Sequence, residues 1–445
     1  MTASIAALAT GDTANRVQYE QFLAALDVDQ VRPLVLERLE RLEGLERLGG
    51  EQRTDVAVLD AKLEPGRPAV VLYRVGARLV HGTIPVPDRR AAPGPGLRLS
   101  GYPVDPGLPG LACAESAQCL ARSIERGHLD GPVSVTRIHT RLLRYRPGRR
   151  ATFEVLAHLR DQVEVRPTRL VAKVYHDRAK ADPVVLEARE LSRQAVAAPL
   201  VLARVVAHDP AQAIVVQEHL PGRPLTMDVG GTSPETSEPL VLAARALAAF
   251  HGLSVSAGRD RPLERELQRF VTRSTGVRTV DQETGVALLD LAERLRRLPR
   301  PDLDRSLVHG DCKPAQFLVN GPHVALLDLD HCGLAAPEYD VGNFMASLRQ
   351  QVIQDSGPSP QRAVAVELGA DFLDAYAAAR WGRGGGAPPV GPPPAGLAER
   401  VEAFVAISVM RKALRAFARD PRSPIPRQLV DEAHRGLDDL GGAHP

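Results

Sequence analysis

A chain of 445 residues, 44% hydrophobic and 25% charged, has enough apolar material for two or three domains with buried cores, which excludes general disorder. Its 56 basic and 54 acidic residues leave a net charge of +2, with the two signs interspersed, so neither nucleic acid nor a membrane surface is an expected partner. Cys113, Cys119, Cys312 and Cys332 are too few and too irregularly spaced for a disulfide framework or a paired CxxC zinc site. The start has no basic segment ahead of an apolar run, and no stretch of about 18 uncharged apolar residues occurs, so the expectation is a cytoplasmic protein, neither secreted nor membrane-spanning. Only five lysines occur, Lys62, Lys173, Lys180, Lys313 and Lys412; in so arginine-rich a chain, each surviving Lys is a candidate for specific chemistry.

Residues 17–48 carry leucine at helical spacing, as in VRPLVLERLERLEGLERL, and Gly49-Gly50 predicts the stop. The runs DVAVLDAKL and AVVLYRVGARLVHG, parted by Glu64-Pro65-Gly66, read as pieces of a small sheet. Residues 86–110 are dense in Pro and Gly and predict a connector over the surface, with a domain boundary near 98–110. From 133 to 218 short strands recur, VSVTRIHTRLLRYR, ATFEVLAHLRD, RLVAKVYH and AIVVQEHL, with one helical stretch, DPVVLEARELSRQAV, before the last. Beyond 236 the pattern is helical, Leu240, Ala244, Leu247 and His251 sharing a face, and only 306–330 returns to strands. The low-complexity run at 382–396, GRGGGAPPVGPPPAG, predicts a flexible loop. The expected division is an accessory α/β unit at 1–98, a connector at 99–132, a small β-rich lobe at 133–224 and a large helical lobe at 225–445, an α+β chain.

The segment SLVHGDCKPAQFLVNGPHVALLDLD (306–330) places polar residues at the ends of short apolar strands. Asn320-Gly321 is a hairpin signal. Pairing FLV with HVALL around it sets residue 316 opposite roughly 325, with Gln316 and Asp328 at the open end and Asp311 in the loop leading there. Three oxygen-bearing side chains converging on one point suit magnesium with attached phosphates; the plainer alternative is a polar loop whose acids cap turns.

His309-Gly310-Asp311, an amide five residues later and an apolar strand ending in Asp328 together resemble the catalytic core of the aminoglycoside phosphotransferase and choline kinase group, which has a protein-kinase-like bilobal fold. Family members usually have Asn where this chain has Gln316; maltokinase-like members are similar in using Gln and in carrying an extra N-terminal domain. The resemblance covers about 140–345 well, the late helices loosely and 1–98 hardly at all. It implies an ATP- and Mg2+-dependent kinase acting on a small-molecule hydroxyl, with Asp311 and His309 in the catalytic loop, Gln316 and Asp328 on the metal, and Lys313 neutralising the transferred group. In RLVAKVY, Lys173 projects from the face opposite Leu170, Ala172 and Val174 and looks like the family lysine that grips the α- and β-phosphates, with Glu187 as its acidic partner. An exposed edge-strand lysine is the plainer alternative.

Pro147-Gly148 sits at a turn between two strands, where backbone N–H groups could lie over a triphosphate. AIVVQEHL is similar to the family's inter-lobe hinge, where the backbone of Gln217, Glu218 and His219 would meet adenine. His251 reads as a satisfied core histidine, Asp340 as a brace for the catalytic loop, and Arg411, Lys412 and Arg415 as a solvated helix face. Asp330 is a candidate second acid near the acceptor. Sugars and amino sugars are the expected acceptors, with an antibiotic next; the competing reading is a pseudokinase that binds a nucleotide or a partner.

Overall fold

The computed structural model describes residues 15–43, 55–64, 66–86, 96–161, 164–195, 199–227, 237–255, 259–298, 305–355, 359–382 and 393–442. Gly49-Gly50, Pro65, positions 87–95 of the expected connector and 383–392 of the low-complexity run lie outside the described residues.

The leucine-spaced segment makes two helices, α1 (15–26) and α2 (Val28–Glu43), because Asp27 interrupts it: its carboxylate accepts the Asp29 N–H at 3.1 Å and starts the second helix. Four strands follow, β1 (Val56–Lys62), β2 (Ala69–Val75), β3 (Arg78–Ile84) and β4 (Arg98–Gly101), in an antiparallel sheet of that order. The run AVVLYRVGARLVHG is a hairpin, turned at Gly76 with φ +57°. Phe22, Val31, Val35, Tyr73 and Val80 fill the core between helices and sheet.

Next come α3 (Leu111–Glu115), α4 (Ala117–Gly127), β5 (Ser134–Arg146), β6 (Arg150–Arg160), β7 (Val165–Tyr175), α5 (Arg178–Gln194), β8 (Leu200–Val201), β9 (Val205–Asp209), β10 (Ile214–Glu218) and β11 (Arg223–Pro224). The main sheet runs β5-β6-β7-β10-β9, antiparallel throughout. Its centre strand is β7, so Lys173 is not an edge-strand lysine. Leu108, Leu111, Leu120 and Ile124 pack with Phe153, Leu170 and Val174, so this part of the expected surface connector belongs to the small-lobe core. Cys113 and Cys119 are joined as a disulfide, contrary to the sequence expectation. The helix break at Ser116 brings their Cα atoms to 5.0 Å.

The remaining elements are α6 (Ser237–His251), α7 (Leu263–Arg278), α8 (Gln282–Arg297), β12 (Ser306–Val308), β13 (Phe317–Asn320), β14 (His323–Leu326), β15 (Gly333–Ala335), α9 (Glu338–Gln354), α10 (Ser359–Trp381), α11 (Leu397–Arg419) and α12 (Ile425–Gly442). One apolar cluster, including Leu247, Phe250, Phe317, Phe344, Phe372 and Val409, holds them together. Strands β13 and β14 lie between β11 and β8, so the segment with the candidate chemistry is stitched to the link between α5 and β9 and to the chain just after β10. Among the described residues no helix is long and apolar enough to cross a membrane.

Candidate active site

Strand β12 delivers His309-Gly310-Asp311. Gly310 has φ +78°, and a Cβ there would collide with the His331 carbonyl and the Arg261 guanidinium, so only glycine lets the chain turn here. The buried carboxylate of Asp340, on α9, accepts the N–H groups of His309 at 2.5 Å and Gly310 at 2.9 Å. Burial pushes the Asp340 carboxyl up, and its bond to His251 at 3.1 Å and the charges and N–H groups around it more than reverse this. Nδ1 of His251 bonds Tyr376 Oη at 2.7 Å, so His251 is a satisfied core histidine and Asp340 a brace, as the sequence predicts. His309 is fully buried; Nε2 lies 2.7 Å from the Leu327 carbonyl and donates to it, leaving Nδ1 to accept the Asp311 N–H at 3.2 Å. That makes His309 a positioning residue, a correction to its expected place among the catalytic groups.

Asp311 is held between Lys313 Nζ at 2.6 Å and Arg415 Nη1 at 3.4 Å. Burial raises its carboxyl, but these two cations hold it well below the usual carboxylate range. Of the Arg411, Lys412 and Arg415 set, expected as a solvated face, only Arg415 is solvent-exposed; the other two are buried. Arg411 is buried, paired with Glu266 at 2.6 Å, its guanidinium 4.7 Å from the Tyr339 ring centroid. Lys412 is buried against Ser347 Oγ at 2.9 Å, and burial with help from Arg415 pushes its ammonium down to about 7. A lysine and two arginines in an otherwise apolar helix face were the available signal.

In the β13–β14 hairpin, Asn320 pairs with His323 and Phe317 with Leu326, and the Leu327 N–H bonds the Gln316 carbonyl at 2.8 Å. Residue 316 is thus opposite 327, not 325, because the two-residue loop is Gly321-Pro322. The shift brings Gln316 next to Asp328, which takes the left-handed conformation with φ +62° and ψ +62°. Arg150 forks across both Asp328 oxygens at 2.8 and 2.9 Å and also bonds Asp330; Lys173 Nζ lies 3.1 Å from Asp328 and 3.2 Å from Asp330. Burial would raise Asp328 and lower Lys173, yet the pairing wins, and both stay charged.

Two expectations fail at this point. The Lys173–Glu187 ion pair is not formed: Glu187 faces Arg259 at 3.2 Å, because the β7 lysine points at the 328–330 turn. Asp330 is turned to the nucleotide-lobe residues Lys173, Tyr175 and Arg150 instead of an acceptor. Arg150, two residues after the Pro147-Gly148 turn, was missed.

The implied divalent metal fits the donors present. Gln316 is buried, 8% exposed, its side-chain amide finds no hydrogen-bond partner among the described residues, and it neighbours an ionised carboxylate in sequence register. Among the described residues no group of three His, Cys, Asp or Glu side chains could hold a metal, so the protein would give two hard oxygen donors and leave the rest to phosphate and water, magnesium's usual arrangement.

Gly148 does not have a free amide for phosphate. Its N–H bonds Asp105 at 2.7 Å, and Asp105 also accepts the Tyr145 hydroxyl at 2.8 Å, itself 3.1 Å from His81 Nδ1 of β3. At the expected hinge, Gln217 is paired inside the sheet, and the N–H groups of Glu218 and His219 go to the Arg204 and Arg169 carbonyls. The next main-chain N–H, on Leu220, has no partner among the described residues. A cavity of about 710 Å³ lies between Leu59, Leu72, Leu142, Arg144 and Arg419, and none of the expected site residues lines it.

No curated protein sequence matches the chain. Similar solved structures include a choline kinase from Cryptosporidium parvum Iowa II, 15% identical, covering 68% of this chain and 90% of its own, with a TM-score of 0.49. They also include a macrolide 2′-phosphotransferase from Brachybacterium faecium, 16% identical over 71% and 97% of the two chains with a TM-score of 0.43. A choline kinase from Streptococcus pneumoniae is 14% identical over 68% and 94%, with a TM-score of 0.41. The family described as phosphotransferase enzymes matches residues 152–387, from within β6 through the 309–311 loop to six residues past α10. With more than half of its length matched, the chain belongs to the phosphotransferase enzyme family.

Proposed function

We propose that the protein transfers the γ-phosphoryl group of ATP to a hydroxyl of a small molecule, with Asp311 receiving the acceptor's proton. The observation that carries this reading is the gathering of Asp311, Gln316 and Asp328 at the open end of the β13–β14 hairpin, with Lys173 reaching it from the centre of the small-lobe sheet. Phosphoryl transfer asks a protein mainly for positioning and charge stabilisation. Asp311, kept ionised by Lys313 and Arg415, accepts a hydrogen bond from the acceptor hydroxyl and aims its oxygen at phosphorus. A bond forms between that oxygen and the γ-phosphorus while the bond from this phosphorus to the β,γ-bridging oxygen breaks. The hydroxyl proton passes to Asp311, and the electron pair leaves with ADP.

Lys173 would meet the α- and β-phosphates, Lys313 the transferred group, and the Leu220 N–H the adenine edge. Gln316 and Asp328 would hold Mg2+, which neutralises phosphate charge when bound. The test is ATP turnover with a panel of hydroxyl compounds, with and without magnesium. Acceptor-stimulated ADP release that ceases on chelation is expected. ATP binding without turnover for any acceptor would select a nucleotide-binding module instead.

A further inference from the structure

Ion pairs and one main-chain bond bring three parts of the chain together on the Asp311 side of α11: the β1–β2 turn, the β5–β6 hairpin, and helix α7. The N-terminal unit is anchored there by the Leu63 N–H bond to the Ala418 carbonyl at 2.6 Å, one turn past Arg415. Glu64 is shared among four cations, Lys62 at 2.6 Å, Arg67 at 3.5 Å, and Arg149 and Arg273 at 3.7 Å. Asp311 is shared between Lys313 and Arg415. Arg415 links the two groups, since its charge bears on Arg149, Arg273 and Lys412. Asp60, the next acid, brings Arg419 with it at 3.8 Å and so does not redress the balance.

Seven cations, Lys62, Arg67, Arg149, Arg273, Lys313, Arg415 and Arg419, thus stand with three carboxylates, Glu64, Asp311 and Asp60, and the region is net positive, with Arg273 half-buried and Arg149 and Arg415 half exposed. Burial and mutual repulsion push the Arg273 and Arg149 guanidinium groups down, a cost that an anion placed among them would relieve. The charge belongs to the acceptor's side of the site: Lys173, Arg150 and Asp328 occupy the nucleotide's side, whereas Arg415 stands on the other oxygen of Asp311 from Lys313.

We propose that the acceptor is itself an anion, a hydroxyl compound bearing a carboxylate or a phosphate, gripped by Arg415, Arg273 and Arg149 while its hydroxyl meets Asp311. The N-terminal unit is then a wall of the acceptor site, with Glu64 spacing the guanidinium groups. This inference rests on the phosphotransferase reading of Asp311. A polycationic amino sugar would be repelled from the same group of arginines.

The test uses the full chain with magnesium and a non-hydrolysable ATP analogue, and measures calorimetric binding of glucose 6-phosphate, glucuronate, glucose and glucosamine. Phosphoryl transfer from ATP to each is followed in parallel. At least one anion should bind about tenfold or more tightly than glucose, with glucosamine weakest, and the preference should shrink as salt rises. The better of the two anions identifies the charged group. Arg273→Gln should raise the KM for that anion about tenfold more than the KM for ATP; Arg149→Gln, on the half-exposed hairpin, repeats the measurement if the first variant fails to fold. Glucose or glucosamine binding as well as both anions, failure of both anions to bind, or an anion preference untouched by either variant would overturn the inference. Anion preference intact but no transfer from ATP to any probe would instead overturn the phosphotransferase reading and leave the anion site standing.

Discussion

In the proposed mechanism Asp311 receives the acceptor's proton. Asp311→Asn keeps the shape and removes the proton acceptor, so turnover should fall by roughly 10²-fold or more, with ATP affinity nearly unchanged. Turnover near that of the unaltered protein would remove Asp311 from the mechanism. Gln316 reaches about 1.5 Å further than Asn, the length of one carbon–carbon bond. Its backbone is fixed by the bond from the Leu327 N–H, so Gln316→Asn should fall short of the metal and raise the magnesium needed for half-maximal turnover. A gain in activity would mean that the site is not adapted to Gln.

Lys412 is a buried ammonium whose hydrogen-bond partner among the described residues is a hydroxyl. Its folded value, about 7, lies below that of the unfolded chain, so the folded state binds fewer protons between those two values and stability from this group rises with pH across that window. Lys412→Met should therefore raise the melting temperature, and more at pH 6 than at pH 9, in scans of both proteins. An equal effect at the two pH values would show that Lys412 titrates normally.

At the scale of elements, the β5–β6 hairpin is held by a side chain from outside it. Asp105 accepts the N–H groups of Gly107 and Gly148 and the Tyr145 hydroxyl, three bonds to one buried carboxylate. Bonds to charged groups contribute about 1.5–3 kcal/mol each, though not additively. Asp105→Ala should cost about 2–4 kcal/mol in denaturant unfolding and speed amide exchange at 146–150 more than in the middle of β6. Uniform exchange along β5 and β6 in the variant would contradict the anchoring role. Because Arg150 follows this turn and bonds Asp328, loosening the hairpin also loosens the nucleotide side of the site.

Across the molecule, acid sensitivity should be spread over both lobes. Burial pushes Asp209, Asp340 and Glu432 up, and their partners, Ser123 and Arg126, His251, and Arg362 with Arg435, more than reverse it. Carboxyls held below their unfolded values, near 4, stabilise the fold above that pH and lose the contribution as pH falls through the folded values. The denaturant midpoint should drop steadily from about pH 5 downward, and Asp340→Asn should flatten part of that drop. A midpoint independent of pH over this range would refute the linkage.

The order of strands and helices was readable because side-chain periodicity and turn residues act between near neighbours. Residues 309–328 were readable as a candidate site for the same reason: Asp311, Gln316 and Asp328 lie on one loop and one hairpin, so local geometry alone sets their neighbourhood, apart from a register shift of two set by Gly321-Pro322. Partner choice between distant charges was not. Lys173 had acids available on α5 and on the 328–330 turn, and only the packing of the lobes put Asp328 within 3.1 Å and left Glu187 to Arg259. Arg415 meets Asp311 across 104 residues, and Arg150 meets Asp328 across 178. Their arginine codons look like any others in an arginine-rich chain, since a charge declares its role through what lies opposite it in space. The sequence by itself determined the two-lobed α+β fold and the family; the tertiary structure decided which cations face which carboxylates, and thereby the excess of positive charge beside Asp311.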